Sequence, residues 1–96
     1  KKDKNFVYKL VKISGNVLSY VDESLKKNKE IVLEAVKQNG NALFHADVSL
    51  KKDKRIVLEA IKNNCFSLIY VEDNLKKDKK IIETATKKNE YCIKLL

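Results

Sequence analysis

The chain has 96 residues, of which 44% are hydrophobic and 35% are charged, and its formal net charge is +8. This length suits one small domain, and the hydrophobic content excludes a disordered polybasic tail. Proline and tryptophan are absent and glycine occurs only twice, so the composition favours helices over a turn-rich β fold. No apolar run approaches the roughly 18 residues that a membrane-spanning helix needs.

A basic tetrad recurs along the chain every 25 residues. It reads KKDK at 1–4, KKNK at 26–29, and KKDK again at 51–54 and 76–79. The chain therefore divides, without any insertion, into units 1–25, 26–50, 51–75 and 76–96. Such a fixed period is the signature of a repeat protein, so we interpret 1–96 as a single helical repeat domain.

Each unit predicts a long helix. In unit two, the segment 30–38 has apolar residues at the i,i+4 spacing of an amphipathic helix. Asn28 stands before it at the N-cap position, where its side chain can accept from the first-turn amides. The equivalent residues of the other units are Asp3, Asp53 and Asp78. After the segment comes Gly40, which we expect to end the helix in the left-handed conformation.

A second, shorter helix is predicted at 41–46, with Leu43 and Ala46 facing the core. Helices of about ten and six residues cannot bury their apolar faces alone, whereas stacked copies can. The sequence therefore predicts an all-α fold, a short α-solenoid of four stacked 25-residue helix-turn-helix repeats. In the last unit Glu83, Thr86 and Lys94 replace apolar residues of unit three, which is typical of a terminal cap.

The repeat resembles a known family. The strings LKKNKEIVLEAVKQNGNAL at 25–43 and LKKDKRIVLEAIKNN at 50–64 are similar to the tandem repeat called domain of unknown function 4116 (DUF4116). The resemblance implies a helical module that often stands beside other domains, and it supplies no catalytic residues. Since the chain also starts at Lys1 without methionine, we expect it to be a segment of a larger protein.

Few residues indicate chemistry. Cys65 and Cys92 form no CxxC motif, and we expect free thiols in a reducing, intracellular compartment. His45 shares its position with large side chains of other units, which indicates a packing role. We therefore expect no enzyme, no catalytic residue, no metal, no cofactor and no small-molecule substrate.

Two surfaces are candidates for binding. The first is apolar and would grip another protein or a peptide, unless neighbouring units bury its side chains. Its residues are Phe44, Phe66, Ile69 and Tyr91. The function that we predict is a non-catalytic module for protein–protein interaction or spacing within a larger protein.

The alternative surface is an edge of lysines that would bind an anion, either nucleic acid or an acidic membrane. Its residues are Lys26, Lys27, Lys51, Lys52, Lys76 and Lys77. Three features oppose it: arginine occurs only at Arg55, N-cap side chains occupy the helix amides, and acids precede the second, third and fourth tetrads. A solvated turn that only aids solubility is the remaining interpretation.

Overall fold

The computed structural model describes residues 4–96, except for the side chain of Ile93. Within this range four ten-residue α-helices, here called the first to fourth long helices, begin 25 residues apart. They are Lys4–Ile13, Lys29–Gln38, Lys54–Asn63 and Lys79–Lys88. Each is followed by a six-residue 3-10 helix, at Gly15–Tyr20, Gly40–His45, Cys65–Tyr70 and Glu90–Leu95.

Short connecting helices join one unit to the next, at Leu25–Lys27, Val48–Lys51 and Asp73–Lys76. Residues 4–96 contain no strand, so the prediction of an all-α fold is confirmed. None of the helices in this range combines the length and the hydropathy that a membrane span requires.

The long helices begin where the N-cap residues predict. The side chain of Asn28 accepts from the backbone N–H of Ile31 at 3.0 Å. Asp53 and Asp78 cap the next two long helices by accepting from the first-turn amides in the same way. The predicted cap at Asp3 lies outside the described residues.

The units pack in chain order. Each long helix contacts the long helix of the following unit, and each 3-10 helix contacts the following 3-10 helix. The molecule is accordingly elongated, with extents of 38 × 22 × 16 Å. The core runs between the two rows, and Leu43 and Ala46 face it as predicted. These contacts fit a stack in which each repeat covers the apolar face of its neighbour.

Gly40 has a different role from the one that we expected. No glycine among residues 4–96 has a positive φ, so the prediction of a left-handed helix end is wrong. Instead, a Cβ atom on Gly40 would collide with the carbonyl oxygen of Ala60 in the third long helix. Gly15 stands in the same relation to Ala35. Glycine is needed at both positions because the next long helix passes too close for a side chain.

The fourth unit presents a polar outer face. Glu83, Thr86 and Lys94 are exposed, as the cap interpretation predicts. Only Ile81 and Ala85 of the fourth long helix are buried, whereas the second and third long helices bury four residues each. The long helix of the last unit therefore contributes less to the apolar core than the long helices of the two middle units.

Candidate protein-interaction surface

The 3-10 helices position the candidate side chains. In unit three, Asn64 fixes the start of the 3-10 helix by accepting from the backbone N–H of Phe66 at 3.0 Å. A 3-10 helix has three residues per turn, so residues three apart share one face. Phe66 and Ile69 consequently face solvent together, while Leu68 is fully buried beneath them.

The four predicted side chains lie on successive 3-10 helices and are exposed. We call them the apolar strip: Phe44, Phe66, Ile69 and Tyr91. Their exposed fractions lie between 47% and 64%. The alternative in which neighbouring units bury them is therefore wrong. That the strip binds a partner stays a prediction.

An aromatic cluster crosses the second junction, which is the boundary between units two and three. The ring of Phe44 lies 5.2 Å from the ring of Tyr70, centroid to centroid, at a tilt of 52°. The Lys51 ammonium lies 5.3 Å from the centroid of the Phe44 ring, within the range of a cation–π interaction. This contact places a positive charge at the edge of the apolar strip.

A groove of about 210 Å³ opens at the same junction. It is lined by Val48, Lys51, Lys52, Ile69, Tyr70, Val71 and Glu72. Our sequence reasoning missed Val48, which is 63% exposed. A signal was present, because the equivalent residues of units one and three are acidic, namely Glu23 and Asp73.

The six lysines of the predicted anion-binding edge lie in two environments. Lys26, Lys51 and Lys76 are half-buried, whereas Lys27, Lys52 and Lys77 are exposed. Two of the half-buried lysines pair with an acid three residues earlier, at the end of the preceding unit. The pairs are Lys26 with Glu23 at 3.1 Å and Lys76 with Asp73 at 3.8 Å. Acids before the tetrads thus neutralise part of the edge, as expected, and its binding of anions stays a prediction.

The last lysine of a tetrad connects one unit to the next. Lys29 lies 3.0 Å from Asp53, and Lys54 lies 3.0 Å from Asp78. The hydrogen bond from Lys54 lowers the pKa of Asp78. Burial raises the pKa of Asp53, but the hydrogen bonds from Lys29 and from backbone amides outweigh it, so this pKa is also lowered. The N-cap aspartates are therefore held in their charged form.

His45 is half-buried with its ring edge-on to Phe44, at 5.2 Å between centroids. Burial lowers the pKa of His45, and the nearby charges of Lys26 and Lys51 lower it further. A neutral imidazole packed on an aromatic ring agrees with the predicted packing role. Among residues 4–96 no three potential metal-binding side chains come together.

The two cysteines are joined, which corrects our expectation of free thiols. Cys65 and Cys92 form a disulfide with 6.1 Å between their Cα atoms. They are 27 residues apart in sequence, and the stacking of unit four on unit three brings them together. The prediction of an intracellular compartment depended on free thiols, so it loses that argument and stays a prediction.

The fold and these surfaces define an all-α protein built from tandem helical repeats. The family model described as domain of unknown function (DUF4116) matches residues 3–51 and 53–96. The chain therefore belongs to the DUF4116 family. Each of the two matches spans two of the 25-residue units. No curated protein and no solved structure matches the chain.

Proposed function

We propose that the chain is a non-catalytic repeat module that binds another protein through the apolar strip, within a larger polypeptide. One observation carries this proposal: four large apolar side chains, each about half exposed, recur on the same face of successive 3-10 helices. Contiguous exposed apolar surface is uncommon on soluble proteins and typically marks an interaction site. Aromatic residues are also enriched at the centres of protein interfaces.

The comparison of units supports a specialised strip. Unit one carries Asn16 and Ser19 at the two strip positions, so the repeat fold does not itself require apolar residues there. Ser19 is satisfied locally, because its hydroxyl donates to the carbonyl of Asn16 at 3.0 Å. The apolar residues of units two to four therefore add exposed surface that folding does not need.

The test replaces part of the strip with the residues of unit one. Phe66→Asn combined with Ile69→Ser should retain far-UV helicity and lose the proteins that the wild-type chain captures from a cell lysate. The matched control is Ile13→Gln, which removes an 81% exposed apolar residue outside the strip and installs the equivalent residue of unit two. Equal capture by the double variant and the wild type would contradict the proposal.

A further inference from the structure

The first and second junctions differ in one backbone hydrogen bond. At the first junction, which is the boundary between units one and two, the N–H of Asp47 donates to the carbonyl oxygen of Lys26 at 3.1 Å. This bond holds the end of unit two against the connecting helix Leu25–Lys27. The equivalent atoms at the second junction belong to Glu72 and Lys51. Within residues 4–96 no hydrogen bond joins this pair. The groove of about 210 Å³ lies where this bond is missing.

The same junction lacks the acid that precedes the tetrad lysine by three residues at the other two junctions. At Lys26 and Lys76, which begin the second and fourth tetrads, the residue three positions earlier is an acid of units one and three that forms an ion pair with the lysine. In unit two the residue is Val48, and Lys51 forms no ion pair within the described part of the chain. Lys51, a half-buried residue, therefore stands beside the groove without the ion-paired carboxylate that Lys26 and Lys76 have.

We infer that this groove binds an acidic peptide segment of a partner protein. An apolar side chain of the peptide lies between Val48 and Ile69, and a carboxylate beside it pairs with Lys51 and Lys52. The peptide thereby supplies the acid that unit two lacks. This inference rests on the proposed function, since Ile69 belongs to both the groove and the apolar strip.

The size and the polar atoms of the groove favour a peptide. A volume of about 210 Å³ is below the roughly 300–1,000 Å³ of small-molecule sites, so the groove suits one side chain. The N–H of Glu72 and the carbonyl of Lys51 offer one donor and one acceptor to a peptide backbone. A nucleic acid would satisfy the lysines but would leave the walls of Val48 and Ile69 uncovered.

Glu72 gives the site a direction. Glu72 also lines the groove, and its carboxylate would repel a carboxylate of the peptide. The acidic residues of the peptide therefore lie nearer to Lys51 and Lys52 than to Glu72. Removing this charge should strengthen binding. Glu72→Gln is therefore expected to raise the affinity for an acidic peptide about twofold.

The experiment measures fluorescence anisotropy of labelled peptides with the full chain. The probes are a peptide with a central Leu-Phe pair flanked by glutamates, the same peptide flanked by glutamines, and a glutamate-flanked peptide with Ala-Ala at its centre. Single-stranded RNA serves as the nucleic-acid probe. The wild-type chain should bind the first peptide most tightly, because only this probe has both the apolar anchor and the charge.

Two variants locate the site. Val48→Glu restores the acid of the other units, so it should fold and pair with Lys51, and we expect it to weaken binding about tenfold or more. Lys52→Glu should weaken it about fivefold. The matched control is Lys27→Glu, which reverses the equivalent exposed charge at the closed first junction and should change the affinity less than about twofold.

The inference is overturned if the glutamate-flanked Leu-Phe peptide does not bind, or binds no better than the other two peptides. It is also overturned if Val48→Glu leaves the affinity for this peptide unchanged. A further contradicting result is RNA binding that Lys27→Glu and Lys52→Glu weaken to the same extent. Phe66→Asn separates the two hypotheses, because Phe66 lies outside the groove. If this variant still loses protein capture while the peptides fail, only the groove assignment falls.

Discussion

Reducing the disulfide between Cys65 and Cys92 should destabilise the last unit strongly. The cross-link closes a loop with a sequence separation of 27, for which the chain-entropy relation gives about 3.5 kcal/mol at 25 °C. The fourth long helix buries only Ile81 and Ala85, so little apolar packing is present to compensate. In a domain of this length, 3.5 kcal/mol corresponds to a loss of about 15–25 °C in Tm.

The assay is urea denaturation followed by far-UV circular dichroism, with and without a reductant. Thiol alkylation and mass spectrometry establish the state of the two cysteines in each sample. Because repeat arrays lose structure unit by unit, amide hydrogen exchange in reduced protein should become faster in the fourth long helix than in the others. The double variant Cys65→Ala and Cys92→Ala is the control, and its midpoint should not respond to reductant.

Two results would refute this reasoning. Alkylation of both thiols in protein purified without reductant would show that the bond does not form in solution. Identical midpoints for oxidised and reduced protein would show that unit four is held by packing alone. The first result would also restore the original argument for a reducing compartment.

Two further predictions concern the junctions and the helix caps. Gly40→Ala should lower the free energy of unfolding by about 1–3 kcal/mol, because the added Cβ would collide with the Ala60 carbonyl. The control is Asn41→Ala at the exposed neighbouring position, and it should change the free energy of unfolding by less than about 0.5 kcal/mol in the same urea titration. Asp53→Ala should cost about 1 kcal/mol through loss of the N-cap. Since the folded-state pKa of Asp53 is lowered, its contribution is present above the unfolded pKa of about 3.9 and is lost as pH falls through the folded value. As the pH falls, the free energy of unfolding should therefore decrease less in Asp53→Ala than in the wild type. Equal pH profiles of this free energy would contradict the role of Asp53 as a charged N-cap.

Much of the fold could be predicted from the sequence because its determinants are local. The helical spacing of apolar residues and the polar residue at each N-cap, such as Asn28, lie within a few positions of one another. Because the pattern repeats every 25 residues, the helices predicted for one unit could be placed in all four units. The exposure of Phe66 and Ile69 was also predictable, since residues three apart share a face of a short helix.

The rest depends on contacts between units, which the sequence does not display. Gly40 has an ordinary φ, and its need for glycine arises from the Ala60 carbonyl in the following unit. The disulfide joins two different positions of the repeat, so no single column of the aligned units contains both Cys65 and Cys92. The groove depends on a backbone hydrogen bond that is present at one junction and missing at the next.

The disulfide and the glycines both help to hold neighbouring units together, but by different means. At the first and second junctions, Gly15 and Gly40 allow the next long helix to approach closely, so main-chain packing holds the units together. The equivalent position at the third junction is Cys65, which carries a side chain where units one and two have glycine. A covalent bond to Cys92 supplements the packing there, at a unit whose long helix buries only two side chains. The attachment of the last unit therefore depends on the redox state of its surroundings.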